Sequence, residues 1–121
     1  MIYDDNNIFA KILRGEIPCK KIYEDEYVLS FYDINPQKKI HALVIPKGKY
    51  IDLDDFASKA SEKEFSGLIK GINVVAKKLQ ISSDTGKGYR ALANISENGG
   101  QEVPHLHFHL FGGEKVGKMV E

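Results

Sequence analysis

An α+β fold, with an antiparallel sheet of about five strands, one long helix and one short helix, is what this sequence predicts. Three observations point there. The first strand-like stretches follow one another with no helix between them, which favours antiparallel pairing over crossover units. A central segment repeats its apolar residues at helical spacing. A late stretch alternates polar and apolar residues strictly, as a half-buried strand does.

Taken in order, a short helix is expected from Asn6 or Asn7 to Leu13, with Phe9, Ile12 and Leu13 inward and Gly15 ending it. Lys21–Tyr23 is a short candidate strand, and Tyr27–Asp33 is rich in aromatic and β-branched residues. His41–Ile45 is a third strand, stopped by Pro46, which cannot donate to a ladder. The long helix should span Ser61–Leu79. Ser61 and Glu64 form a capping box, and Phe65, Leu68, Ile69, Ile72, Val75, Ala76 and Leu79 make one apolar stripe. Gly67 and Gly71 weaken that helix by up to ~1 kcal/mol each relative to alanine, which a close neighbour would explain. Tyr89–Asn94 and residues 105–111 complete the strands.

At 121 residues the chain is one domain, 1–121, with no repeats and no linker. Lys+Arg and Asp+Glu balance at 17 each, so no basic excess offers itself to a nucleic-acid backbone and no nucleic-acid partner is expected. No stretch approaches the ~20 apolar residues that cross a bilayer, and Met1–Arg14 lacks the apolar core of a signal peptide. A single cysteine, Cys19, allows no internal disulfide. These features predict a soluble cytoplasmic protein without a membrane partner.

Three of the four histidines stand at 105, 107 and 109. On a strand these rings share one face, spaced by roughly 6.6 Å, while Leu106, Phe108 and Leu110 anchor the other face. Such a row reads in three ways. It can be a solvated sheet face. It can be a metal site, with His41 as a further ligand, although no carboxylate lies within the motif. It can also serve nucleophilic catalysis at phosphorus, because imidazole is nucleophilic at neutral pH and splits one displacement into two easier ones. Flanking histidines would then donate to phosphoryl oxygens. The lead-in Asn98–Pro104, with Gly99 and Gly100, supplies backbone that can approach an anion closely.

The run Gly99-Gly-Gln-Glu-Val-Pro-His-Leu-His-Phe-His-Leu-Phe-Gly-Gly113 closely resembles the signature of the histidine triad (HIT) family, within it the HINT branch of purine nucleoside phosphoramidase-like proteins. Ile8–Ile12, Gly15–Pro18, Phe31–Gln37 and His41–Lys47 carry the same resemblance, which spans roughly residues 7–113. It implies a HIT-like fold and hydrolysis of purine nucleoside 5'-phosphoramidates, with His107 as the nucleophile that becomes nucleotidylated. It also implies that His109 contacts the phosphate and that His105 and His41 support the site. By the same resemblance Asp33 holds the ribose hydroxyls, and Ile34, Phe9, Ile17 and Phe31 surround the purine. Asn94, Gly100, Gln101 and Glu102 would contact ribose and phosphate. A homodimer acting on AMP or GMP derivatives, with no metal and no cofactor, is the expectation that follows. A dinucleoside polyphosphate hydrolase and a nucleotide-binding or scaffolding module are the alternatives.

Overall fold

The structure is a computed structural model and describes residues 2–119; Met1, Val120 and Glu121, the ends of the expected domain 1–121, lie outside the described residues. Five strands, β1 (Lys21–Glu24), β2 (Val28–Tyr32), β3 (Ile40–Pro46), β4 (Arg90–Leu92) and β5 (Phe108–Gly112), form one sheet in the order β1-β2-β3-β5-β4. Every pairing is antiparallel, as the consecutive strands predict.

Helix α1 (Ile8–Leu13) starts at Asn7, whose side-chain oxygen accepts from the Ala10 N–H at 2.9 Å. The long helix, α3 (Glu62–Lys78), is capped by Ser61 and Glu64 in the reciprocal box that the sequence announces. Leu68, Ile72, Val75 and Ala76 are buried. Ile69 and Phe65 are not: they are 64% and 37% exposed, so the stripe is only partly covered by the sheet. Gly67 and Gly71 do have close neighbours. A Cβ on them would lie 2.5 Å from Tyr27 Cγ and 2.8 Å from Val28 Cγ2. The missing side chains let α3 lie directly on β2.

Two further helices, α2 (Leu53–Lys59) and α4 (Ser96–Gly99), exceed the expected one long and one short helix. Asp52 starts α2 by accepting from the Asp55 N–H at 2.8 Å, and Asp54 and Asp55 occupy its first turn.

The sheet separates two cores. Val28, Ala42, Val44, Leu106 and Leu110 pack with Leu68, Ile72 and Val75 of α3 on one face. Leu29, Phe31, Leu43 and Ile45 pack with Phe9 of α1 on the other. No helix among the described residues is long and apolar enough to cross a membrane.

Candidate functional site

The histidine row lies on the α1 face, but only part of it is in a strand. β5 begins at Phe108, so His105 and His107 precede the ladder rather than riding on it. Pro46 explains the late start. By the register of β3 and β5, Pro46 would oppose Leu106, and it has no N–H to give. Its carbonyl is taken by His105 Nε2 at 2.8 Å, and Leu106 instead donates its N–H to the Tyr50 carbonyl at 2.8 Å. The alternation survives without the ladder. Leu106, Phe108 and Leu110 belong with the α3 core, while the rings of His105 and His107 lie against Phe9. The ring centres of His107 and His109 are 5.1 Å apart.

Hydrogen-bond partners assign the proton on every ring. A carbonyl only accepts, so His105, facing the Pro46 carbonyl, carries its proton on Nε2, and its Nδ1 accepts from the Tyr3 hydroxyl at 2.6 Å. His107 faces the His105 carbonyl with Nδ1 at 2.7 Å and is therefore protonated there. His107 Nε2 keeps its lone pair. No buried side-chain nitrogen or oxygen among the described residues lacks a partner, so this nitrogen, bonded to no protein group, opens to the adjoining cavity.

The Gln37 N–H donates to His41 Nδ1 at 3.1 Å, which leaves the His41 proton on Nε2. That proton goes to His109 Nδ1 at 2.9 Å, and Asp33 Oδ2 lies 3.5 Å from the same nitrogen. His109 is left with an Nε2–H donor. The site thus presents one nucleophilic lone pair beside one hydrogen-bond donor.

Burial favours these neutral rings, since desolvation penalises the imidazolium. It pushes His105 down to about 4. It lowers His109 to about 4 as well, with His107 and His41 adding repulsion. His107 and His41 are also lowered by burial, and the Asp33 carboxylate opposes the effect on both.

The cavity beside these rings has a volume of about 350 Å³ and is lined by His41, His107, His109, Asp33, Asn94, Gly100, Glu102 and Phe9. Eight of the predicted site residues therefore converge. Gly100 sits at φ +75 with open space where a Cβ would be, so the turn and the bare backbone come from one residue. Asp33 and His41 also border a neighbouring cavity of about 700 Å³, where Ile34 lies 85% exposed with Tyr32, Pro36 and Cys19.

Four predicted residues stand apart. His105 is fully buried behind the site, and Phe31 is in the α1-side core. Ile17 lines neither cavity. The Gln101 side chain is committed to its own loop, donating to the carbonyls of Ile51 and Val103 at 2.7 and 3.0 Å and accepting from the Ser96 N–H at 3.0 Å. Tyr3, which holds the His105 ring, carries no motif that sequence reasoning could have used; Gln37 and Pro46 lie within runs that carry the resemblance but orient the rings through backbone groups.

Asp33, His41 and His109 have ligand atoms within 4.8 Å of one another, so a carboxylate does join two histidines here. The fit to a cation is poor. The Gln37 N–H occupies the only lone pair of neutral His41, which turns a proton, not a lone pair, toward the other two groups.

Residues 14–116 match the family described as the HIT domain. An uncharacterized 13.2 kDa HIT-like protein of Azospirillum brasilense is 52% identical over 118 residues, covering 98% of this chain and 94% of that protein. A solved HIT family hydrolase from Clostridium thermocellum superposes with a TM-score of 0.82 at 36% identity, covering 97% of this chain and 99% of that one. A histidine triad nucleotide-binding protein from Candida albicans gives a TM-score of 0.77 at 31% identity, covering 96% and 85%.

Proposed function

The chain belongs to the HIT domain family, and from that premise we propose that it hydrolyses purine nucleoside 5'-phosphoramidates through a nucleotidyl-histidine intermediate on His107. One observation carries the proposal: the His105 carbonyl holds the His107 proton on Nδ1 and so directs the Nε2 lone pair at the cavity. The similar hydrolase of C. thermocellum and the similar nucleotide-binding protein of C. albicans support the reaction class.

In the first step His107 Nε2 bonds to phosphorus and the P–N bond breaks. The departing amine takes a proton relayed from solvent through Glu102 at the cavity rim. His107, now cationic, keeps its Nδ1–H on the His105 carbonyl, which stabilises the charge. His109 Nε2–H donates to a phosphoryl oxygen as charge develops there. In the second step water attacks phosphorus and the phosphorus–His107 bond breaks. The water's proton leaves through Glu102, and a nucleoside 5'-monophosphate is released. In this reading Asp33, which borders both cavities, accepts from the ribose hydroxyls, and the purine lies toward Ile34.

The test is turnover of a fluorogenic adenosine 5'-phosphoramidate against a dinucleoside polyphosphate, with chelator present. The proposal expects rapid, chelator-resistant cleavage of the phosphoramidate and at least about tenfold lower kcat/KM on the polyphosphate. The reverse preference, or AMP binding with no turnover of either compound, contradicts it.

A further inference from the structure

Tyr3 lies outside residues 14–116, the span that matches the family, yet its hydroxyl reaches a triad histidine. The segment that carries Tyr3 is held in place by its own contacts. Three ties are present. The Asp5 carboxylate pairs with the Lys49 ammonium at 2.8 Å, the Arg14 guanidinium donates to the Asp5 carbonyl at 2.8 Å, and the Asn7 amide donates to the Asp4 carbonyl at 2.8 Å.

His105 is fully buried and touches no cavity, so its ring can act only through its neighbours. The Tyr3 O–H donates to Nδ1 at 2.6 Å, and Nε2–H donates to the Pro46 carbonyl at 2.8 Å. The opposite tautomer would set the Nε2 lone pair against that carbonyl and leave both buried groups without a proton between them. Tyr3 and Pro46 together therefore admit one tautomer and one ring orientation. The backbone of the same residue presents the carbonyl that holds His107 Nδ1–H at 2.7 Å. The Phe9 ring spans both histidines, with ring centres 6.3 Å from His105 and 5.0 Å from His107.

We propose that Tyr3 is a positioning residue for His107, acting through His105: with the tautomer set by the Pro46 carbonyl, its hydroxyl holds the His105 ring at Nδ1 and thereby the carbonyl that sets the nucleophile's free nitrogen. The inference rests on His107 being the nucleophile. Burial raises the Tyr3 phenol above its ordinary value, so it stays a donor at neutral pH.

The test follows the imidazole nitrogens of wild type and Tyr3→Phe by ¹⁵N–¹H correlation near neutral pH, together with phosphoramidate kinetics. Wild-type His105 should be protonated on Nε2 alone and His107 on Nδ1. In Tyr3→Phe, His105 should stay protonated on Nε2 while its Nδ1 signal moves, the His107 ring signals should move, and kcat should fall about tenfold with KM within about twofold. A merely structural Tyr3 would lower Tm without moving the His107 ring signals. Unchanged His107 signals in folded Tyr3→Phe, or wild-type His105 protonated on Nδ1, overturn the proposal. Should Tyr3→Phe not fold, the wild-type Tyr3 hydroxyl proton decides: a coupling across the hydrogen bond to His105 Nδ1 supports the proposal, and its absence overturns it. Should wild type cleave no phosphoramidate, the proposed function falls, and the ring signals still decide the role of Tyr3.

Discussion

His105 and His107 differ in which ring nitrogen carries the proton, and a backbone carbonyl decides it in each case. The same burial that keeps these rings neutral ties stability to pH. A histidine whose folded pKa lies below its unfolded value of about 6.5 binds its proton more readily when unfolded, so acid favours unfolding. The stability is fully present above pH 6.5 and is lost as the pH falls toward 4, the value to which His105 and His109 are pushed. His105 alone accounts for about 3 kcal/mol of this loss. Unfolding free energy measured by urea titration should therefore decline between pH 6.5 and 5, before most carboxylates titrate. A flat profile across that interval would contradict neutral buried rings. The row of histidines and its shared face were legible from alternation alone. The directions of the individual nitrogens were not, because Tyr3 and Pro46 reach them from distant parts of the chain and Gln37 does so through a backbone N–H that no side-chain pattern marks.

The helix α3 was readable almost to the residue because its signals are local: a capping box at Ser61 and an apolar stripe. Its glycines were readable only as a cost, and the benefit lies across the interface in β2. Gly67→Ala would place a methyl 2.5 Å from Tyr27 Cγ and 2.6 Å from Tyr27 Cβ, atoms too near the backbone to swing away. Overpacking of about 1–3 kcal/mol should offset or outweigh a propensity gain of at most ~1 kcal/mol, leaving a net loss of up to about 2 kcal/mol in urea unfolding. A stabilised Gly67→Ala would show that α3 does not press on β2. The helix α2 did carry a signal, Asp52 followed by an acidic first turn, in a stretch too short for periodicity to register. The four-residue α4 has no side-chain cap at Ile95, so its sequence holds no start signal. The strand β5 was expected three residues too early because alternation continues past the ladder, which Pro46 ends.

At the scale of the whole molecule, one sheet divides two tasks. The α3 face holds the larger core, and the α1 face carries the odd-numbered histidines beside Leu43 and Phe9. The strand-adjacent rings, the loop around Gly100 and Glu102, and the turn at Asp33 come from separate parts of the chain and meet at one cavity. Residue types and their faces anticipated the histidines and the Gly100 loop, whereas Asp33, Asn94, Glu102 and Phe9 were expected only through the family resemblance. Gln101 is the instructive exception, since its side chain braces the loop at Ile51 and Val103 instead of entering the cavity. The central claim is that His107 Nε2 forms a bond to phosphorus, and the most direct measurement is a single-turnover reaction quenched in alkali and read by peptide mass spectrometry. The account predicts a nucleotidyl adduct on the peptide containing His107 in wild type, and neither adduct nor turnover in His107→Ala. Full turnover with no adduct on that peptide, or undiminished turnover by His107→Ala, would contradict it.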